Sequence, residues 1–248
     1  MAISTRIVSA LACVLVCTGA DAVSLYDPAQ GTLPAAQGWS VLSTGTGATQ
    51  VVVGARLFTD TQANPATSQF VVYRSPPVGS PLDTVAGFTL SFGLQVASEV
   101  HQSNNRAGYS VLVQGVDQSQ ALELSFWDNE VWAMNYAPGG ADGGFVHGNG
   151  VALDTTGSFR QYALTVQSNA YTLRVDGLAV LAGNMTDYPV LGASTLVYGL
   201  GNALFFGDNS SRGQSITTLG AINLLPVPEP TSAMLLLAGL GLLLTRRR

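Results

Sequence analysis

One short stretch of the sequence, ALELSFWDNEVW at residues 121–132, brings acidic and aromatic side chains close together. Glycoside hydrolysis needs two carboxyl groups that face each other across the sugar, about 5 Å apart in retaining enzymes. The nearest candidates are Glu123, Asp128 and Glu130. Glu123 falls in the middle of an alternating strand, whereas Asp128 and Glu130 flank a turn. This spacing does not supply a carboxyl pair on one strand, so we predict no catalytic residues.

The same stretch suggests a binding site for sugars. Alternation places Trp127 on the polar side of its strand with Glu123 and Ser125, and Trp132 lies across the hairpin. An aromatic ring beside hydrogen-bonding groups is a suitable platform for a saccharide. We therefore identify Trp127, Trp132 and Glu123 as a candidate carbohydrate site. The alternative is that one or both tryptophans fill the core or the edge of the fold.

Other catalytic chemistry has little support in the sequence. His101 and His147 are the two histidines, and both lie in polar or glycine-rich stretches. Isolated loop histidines of this kind are expected to face solvent more often than to act as bases or ligands. The chain contains no Gly-x-Ser-x-Gly elbow, no His-x-x-x-His pair and no P-loop.

Period-2 alternation between about residues 49 and 225 predicts the strands that would position these side chains. The clearest case is residues 159–183, where Asn169-Ala170 and Asp176-Gly177 are expected to turn between three strands. Residues 121–132 predict a second hairpin around Asp128-Asn129. Further strands are expected at residues 50–58, 69–74, 87–96, 108–114, 196–206 and 214–224.

Two segments are predicted to be loops, the proline-rich residues 75–81 and the glycine-rich residues 137–150, of which the second is expected to be mobile. About a dozen strands without a long amphipathic helix indicate an all-β fold. We expect an antiparallel β-sandwich or jelly roll over residues 23–225.

Charge and cysteine content exclude several classes of protein. Charged residues make up 10% of the chain, against about 25% in ordinary soluble domains. Residues 23–225 contain six arginines and thirteen carboxylates, a net charge of −7, so nucleic acid is not an expected partner. Both cysteines, Cys13 and Cys17, lie outside this region. The predicted sandwich therefore has no disulfide and no thiolate metal site.

The N-terminal residues 1–22 resemble a secretory signal peptide. Arg6 precedes an apolar run from Ile7 to Val16, and Ala20-Asp21-Ala22 is a small-x-small cleavage pattern. We expect cleavage after Ala22; the less favoured alternative is a buried N-terminal helix. Val16 before Cys17 argues against a lipoprotein box.

The C-terminal residues 226–248 predict a membrane segment. Ala233 to Leu244 is a run of twelve apolar residues, about 18 Å long as a helix, whereas a hydrocarbon core is about 30 Å thick. A transmembrane helix over about 231–245 is therefore a marginal span. Arg246, Arg247 and Arg248 are expected to stay cytoplasmic, which leaves residues 23–225 on the opposite side of the membrane.

Pro228, Glu229 and Pro230, the short apolar helix and the final arginines resemble the sorting signal of PEP-CTERM proteins. The resemblance implies that the protein comes from a Gram-negative bacterium and that an exosortase recognises it while it is held in the inner membrane. It also implies a role at the cell surface or in the exopolysaccharide matrix of a biofilm. An ordinary tail anchor with a chance Pro-Glu-Pro is the alternative.

The segments GFTLSFGLQV, ALELSFWDNEVW, FRQYALTVQSNAYTLRVDG and LFFGDNSSRG resemble concanavalin A-like and laminin-G-like sandwiches over roughly residues 40–225. Such sandwiches include lectins, glucanases and adhesion modules, so the fold does not define the activity. No cofactor is expected from the sequence. Related sandwiches often hold calcium, however, and Asp60, Asp208 and Asn209 are the candidate ligands for it here. Alternatively, Asp208 and Asn209 shape a turn.

Three hypotheses follow from the sequence. The favoured one is a non-catalytic surface or matrix component that binds exopolysaccharide. The second is an extracellular enzyme acting on glycans, a glycoside hydrolase or lyase. The third is a structural module without a specific ligand.

Overall fold

The structure is a computed structural model that describes residues 22–227, apart from residues 45–46, 64–68, 77, 79–81, 117–118, 189–197 and 199. The predicted signal peptide, apart from Ala22, lies outside the described residues. So do Pro228, Glu229 and Pro230, the predicted helix at 231–245 and the three final arginines. Within the described part of the chain, no helix combines the length and the apolar character needed to cross a membrane.

The described residues form fifteen β-strands and three short 3-10 helices. The strands are β1 (Val23–Tyr26), β2 (Ser40–Thr44), β3 (Thr49–Val53), β4 (Arg56–Asp60), β5 (Phe70–Arg74), β6 (Phe88–His101), β7 (Tyr109–Gln114), β8 (Ala121–Phe126), β9 (Glu130–Tyr136), β10 (Phe145–Ala152), β11 (Arg160–Gln167), β12 (Ala170–Val175), β13 (Leu178–Asn184), β14 (Ala203–Gly207) and β15 (Gly213–Pro226). The 3-10 helices are Pro28–Gln30, Pro34–Gln37 and Ala141–Gly144.

The strands form two antiparallel sheets. The eight-stranded sheet has the order β13-β12-β11-β6-β15-β4-β3, and β1 also pairs with β15. The seven-stranded sheet has the order β10-β9-β8-β7-β14-β5-β2. The prediction of an all-β antiparallel sandwich is therefore confirmed.

The core lies between the two sheets and follows from the alternation along the strands. Phe92 on β6 stacks on Tyr162 of the neighbouring strand β11, with ring centroids 5.3 Å apart. Across the core, the same ring makes edge contacts with Phe126 and Phe206 of the seven-stranded sheet, at 6.5 and 5.2 Å. Because aromatic rings bury large apolar areas, this group of four rings joins the two sheets.

The predicted strand at 50–58 is wrong in one respect, because it is a hairpin of β3 and β4. Gly54 and Ala55 form the turn, with φ of 58° and 59°. Two successive residues with positive φ are typical of the two-residue turn that matches the twist of a hairpin. The sequence does not predict this turn, because alanine rarely adopts the left-handed conformation that Ala55 has here.

The predicted mobile loop at 137–150 is also wrong over its second half. Strand β10 begins at Phe145 and pairs with β9. Gly148 and Gly150 permit this pairing: a Cβ at Gly148 would lie 2.4 Å from the Ala133 carbonyl oxygen, and one at Gly150 would lie 2.9 Å from the Trp132 Cβ. These glycines allow the two strands to lie close together, whereas from the sequence alone they predict a flexible segment.

Several boundaries differ from the predictions. Strands β1 and β2 lie before residue 49, where the predicted alternation begins. Trp39 anchors them by donating from Nε1 to the Leu25 carbonyl at 2.8 Å. The turn between β11 and β12 is formed by Ser168 and Asn169, both with positive φ. The predicted strand at 196–206 is observed as β14, and its first residues lie largely outside the described part of the chain.

Candidate functional site

The outer face of the seven-stranded sheet, which points away from the main core, has a second apolar cluster. We call it the outer cluster; its buried members are Val72, Ala107, Leu112, Ala121, Trp132, Met134, Phe145, Tyr188, Ala203 and Phe205. Tyr188 covers the sheet from above and donates its hydroxyl to the Met134 carbonyl at 2.8 Å. A face that the sequence predicts to be polar is thus largely covered.

The two tryptophans of the predicted sugar platform lie on this face, as the alternation predicts, but their rings are covered. Trp132 is fully buried, and His147 stacks on it at 4.3 Å. His101 stacks on the half-buried Trp127 at 4.3 Å with an interplanar angle of 9°. The expectation of two open indole rings is therefore wrong for Trp132, and Trp127 already has an aromatic partner.

Each of these histidines also contacts a glutamate. His101 Nδ1 lies 2.8 Å from Glu99 Oε2, within hydrogen-bond distance. His147 Nε2 lies 3.3 Å from Glu130 Oε1, an ion-pair distance that lacks the alignment of a hydrogen bond. The histidines therefore have structural partners. His101 is nevertheless exposed, as predicted, whereas His147 is half-buried.

Glu123 occupies the centre of the outer face and is 1% exposed. Tyr198 donates its hydroxyl to Oε2, and Asn209 donates from Nδ2 to Oε1 at 3.0 Å. Burial, together with the negative charge of Glu123, raises the pKa of Tyr198 well above its usual value. A buried carboxylate is stable only when both oxygens are satisfied, which is the arrangement found here.

Two glycines bring together the loops at residues 102–108 and 208–212. A Cβ on Gly108 would lie 2.1 Å from the Gln214 carbonyl oxygen, and one on Gly213 would lie 2.5 Å from the Ala107 carbonyl oxygen. The two loops therefore contact each other at their backbones. As a consequence Arg106 and Arg212, each close to one of these glycines, line the same cleft.

Asp142 holds this arrangement in place. Its carboxylate accepts hydrogen bonds from Ser103 and Asn105 and pairs with Arg212. Its backbone carbonyl accepts a hydrogen bond from Arg106 Nη2 at 2.8 Å. The hydrogen bond from Ser103, with smaller effects of Asn105 and the two arginines, lowers the pKa of Asp142. Asp142 thus connects three loops at the rim of the cleft.

The cleft between these loops has a volume of about 420 Å³, within the range of small-ligand sites. Its aromatic lining consists of the half-buried Tyr198 and of Phe145, which is 5% exposed, with ring centroids 5.0 Å apart. The Arg106 guanidinium lies 4.2 Å above the Phe145 ring. Asn209 and Arg212 are further polar residues of the lining. An aromatic wall beside convergent donors is the kind of surface that binds a polar, ring-shaped ligand.

The side chains of the three predicted calcium ligands each have a partner within the protein. Asn209 turns towards Glu123, Asp60 Oδ1 accepts from the Gln62 amide at 2.8 Å, and Asp208 Oδ1 accepts from the Ser210 amide at 3.1 Å. Among the described residues, no three acidic, histidine or cysteine side chains form a metal-binding group. Asp208 shapes the turn after β14 by accepting from the Ser210 amide, which is the alternative that the sequence left open for it.

Asp208 is a second buried carboxyl, and it differs from Glu123 in its hydrogen bonding. It is 1% exposed, and its Oδ2 has no hydrogen-bond partner in the described part of the chain. Thr61 lies near it, but the Thr61 hydroxyl donates to the Ser215 carbonyl at 3.2 Å. Burial raises the pKa of Asp208 well above its usual value, and the nearby Glu99 carboxyl adds to this shift.

Sequence reasoning missed most residues of the cleft, namely Arg106, Asp142, Phe145, Tyr198 and Arg212. A local pattern was present: NNRAG at 104–108 and SSRG at 210–213 each place an arginine just before a glycine and a strand. Nothing in either pattern indicates that the two segments meet. Their contact depends on the pairing of β6 with β15.

Residues 226–248 match the family model of the PEP-CTERM protein-sorting motif. The chain therefore carries this motif at the position that the sequence predicted. Among curated proteins, no sequence matches the chain significantly.

The fold is similar to solved structures. The conserved carbohydrate esterase of the Shiga toxin-encoding bacteriophage phi24B matches with a TM-score of 0.53 and 14% identity, over 82% of this chain and 98% of the phage chain. An endo-1,3-β-glucanase from Streptomyces sioyaensis matches with a TM-score of 0.47 and 13% identity, over 87% and 98%. The Ca²⁺/Man2-bound exoplasmic/lumenal domain of VIP36 matches with a TM-score of 0.48 and 11% identity, over 83% and 88%. The phage esterase shares the overall sandwich fold with this chain.

Proposed function

We propose that this protein is an exported bacterial surface or matrix protein that binds polysaccharide without cleaving it. The observation that carries the proposal is the cleft of about 420 Å³, which is lined by two aromatic side chains, Phe145 and Tyr198, and by the polar side chains of Arg106, Asn209 and Arg212. Sugar rings present apolar faces to aromatic side chains and hydroxyl groups to polar ones, and this cleft offers both.

The sorting motif supports the cellular part of the proposal. A PEP-CTERM motif at residues 226–248 indicates export and sorting to the surface of a Gram-negative cell. We propose exosortase as the processing partner, acting while the short apolar segment holds the chain at the inner membrane. The product then reaches the cell surface or the biofilm matrix, where exopolysaccharide is the available ligand.

The state of the carboxylates favours binding over hydrolysis. Hydrolysis needs one carboxyl to protonate the leaving group and another to attack the sugar or activate water. At this cleft, Asp142 is held by Ser103, Asn105 and Arg212, and Glu123 lies beneath Tyr198 and Asn209. Both carboxylates have structural partners on each oxygen. The fold similarity to a phage carbohydrate esterase keeps a glycan-active enzyme as the alternative.

A substitution that fills the cleft tests the proposal. Ser211 lines the cleft and is exposed, so Ser211→Trp adds bulk without removing a core contact. We expect the full-length protein in mild detergent to bind at least one probe on an array of β-glucan, mannan, chitin and polyuronate oligosaccharides. The variant should lose that binding and keep its thermal midpoint.

The matched control is Asn184→Trp, in a separate depression of about 300 Å³ formed by residues that include Asn135, Tyr171 and Asn184. This variant should bind as the wild type does. Loss of binding in Asn184→Trp alone would move the site away from the cleft. Release of shortened or deacylated products from any bound probe would favour the enzyme.

A further inference from the structure

We propose that the saccharide bound in this cleft carries a carboxylate, as a uronic acid or pyruvate-ketal sugar does, and that Arg212 and Arg106 recognise it. This inference rests on the proposed function and specifies the chemical class of the ligand. It follows from an imbalance between donors and acceptors in the cleft.

The carboxylate acceptors at the cleft are already in use. Both oxygens of Asp142 are bonded to Ser103, Asn105 and Arg212. Glu123, beneath the lining, accepts from Tyr198 and Asn209. A neutral sugar hydroxyl that needs an acceptor therefore finds few in this cleft.

Several donors of the cleft are free. Arg106 uses Nη2 for the Asp142 carbonyl, and Arg212 uses Nη1 for the Asp142 carboxylate. The remaining guanidinium N–H groups of both arginines donate to none of the described residues. The Arg212 side chain is 56% exposed, so its free donors can reach a ligand, and the half-buried Arg106 lines the same cleft. A guanidinium fork matches a planar carboxylate with two parallel hydrogen bonds.

The position of the arginines within an acidic protein strengthens the inference. Residues 23–225 have a net charge of −7 and only six arginines, two of which line this cleft. At physiological ionic strength, screening limits exposed charges to about 8 Å, so a bound carboxylate responds mainly to the two arginines. The Asp142 and Glu123 carboxylates offset part of that charge, but hydrogen bonds from neighbouring side chains already satisfy their oxygens.

The experiment compares an acid with its own ester. The probes are oligogalacturonate, oligomannuronate, pyruvylated galactan, fully methyl-esterified oligogalacturonate and a neutral cello-oligosaccharide, each titrated against the full-length protein by calorimetry. We expect at least one carboxylated probe to bind about tenfold or more tightly than the neutral probes. Arg212→Gln should weaken that binding about tenfold, and Arg212→Lys, which keeps the charge but loses the fork, should weaken it less.

The control is Arg160→Gln, because Arg160 also pairs with a carboxylate, Asp176 at 3.0 Å, but lies in the eight-stranded sheet. It should bind the acidic probe as the wild type does. If the methyl ester or the neutral probe binds as tightly as the acid, and Ser211→Trp abolishes that binding, the carboxylate inference is wrong and the proposed function stands. If no probe of either kind binds, both are overturned.

Discussion

Tyr198 donates a hydrogen bond from its hydroxyl to the Glu123 carboxylate. The two residues lie far apart in the chain and meet over the outer face of the seven-stranded sheet. Glu123 comes from the middle of β8, and Tyr198 comes from the segment between β13 and β14. The contact places a buried carboxylate directly beneath the proposed binding cleft. It also makes the cleft wall depend on a polar contact within the fold.

Replacing Tyr198 with phenylalanine should destabilise the protein. The change removes one donor from a buried carboxylate, and a hydrogen bond to a charged group contributes about 1.5–3 kcal/mol. We expect the free energy of unfolding in urea to fall by about that amount. Tyr136→Phe is the control, since the Tyr136 hydroxyl bonds to none of the described residues, and it should change stability by less than about 0.5 kcal/mol. Equal effects of the two variants would contradict the role given to Tyr198.

Trp132→Ala should be one of the most destabilising substitutions in the seven-stranded sheet. Trp132 is fully buried, and truncation of a buried tryptophan costs about 3–5 kcal/mol. Trp132→Phe should cost less, because the ring position is kept and the indole Nε1 has no hydrogen-bond partner among the described residues. Urea denaturation of both variants gives the comparison. A loss below about 0.5 kcal/mol in Trp132→Ala would indicate an exposed ring instead.

Gly148→Ala separates the two interpretations of the glycine-rich segment. In a mobile loop, alanine in place of glycine would stabilise the protein by about 0.4–1 kcal/mol. In β10, the new Cβ would lie 2.4 Å from the Ala133 carbonyl oxygen, so we expect a loss of about 1–3 kcal/mol. Thermal unfolding gives the sign of the change. Asn149→Ala, at the exposed neighbouring position, should change stability little.

Asp208→Asn should stabilise the protein at neutral pH and have little effect in acid. Burial raises the pKa of Asp208 in the folded state, whereas the unfolded value is about 3.9. The folded state therefore binds more protons between these two values, and the contribution of Asp208 to stability decreases as pH rises through this interval. An asparagine does not titrate, so the advantage of the variant should grow with pH.

Asp176 provides a control of opposite sign for this titration. A hydrogen bond from the Gln161 amide lowers the pKa of Asp176. Its contribution to stability is therefore present above the unfolded pKa and is lost on acidification through the folded pKa. Asp176→Asn should be destabilised at neutral pH and converge with the wild type in acid. Urea midpoints measured between pH 3 and pH 8 test both carboxyls, and parallel curves for Asp208→Asn and the wild type would contradict the first prediction.

Alternation predicted the strands and their faces well. Leu122, Leu124 and Phe126 enter the main core, and Glu123 lies on the opposite face, as their positions in the sequence indicated. Local patterns succeed here because side chains on a strand alternate between its two faces regardless of what lies above them. The Asp176-Gly177 turn was predictable for a similar reason, since both residues have the positive φ typical of a two-residue hairpin.

The same reasoning failed where the outcome depends on a distant segment. Trp132 was expected on an open polar face, but His147, Tyr188 and Tyr198 help to cover that face. The glycines of β10 suggested flexibility, because their close contact with β9 is invisible until the two strands pair. Both errors have one physical cause. Periodicity shows on which face of a strand a side chain lies, but the burial of that side chain depends on what packs against the face.

By itself, the sequence determined the all-β character, the acidic, cysteine-free body and the terminal sorting motif, because each is a property of composition or of a short contiguous stretch. The tertiary structure alone decided that Arg106 and Arg212 line one cleft and that Glu123 lies beneath it. The pairing of β6 with β15 and the contact at Gly108 and Gly213 bring these residues together. Such long-range contacts are set by strand register and backbone packing, which no local pattern of residues encodes.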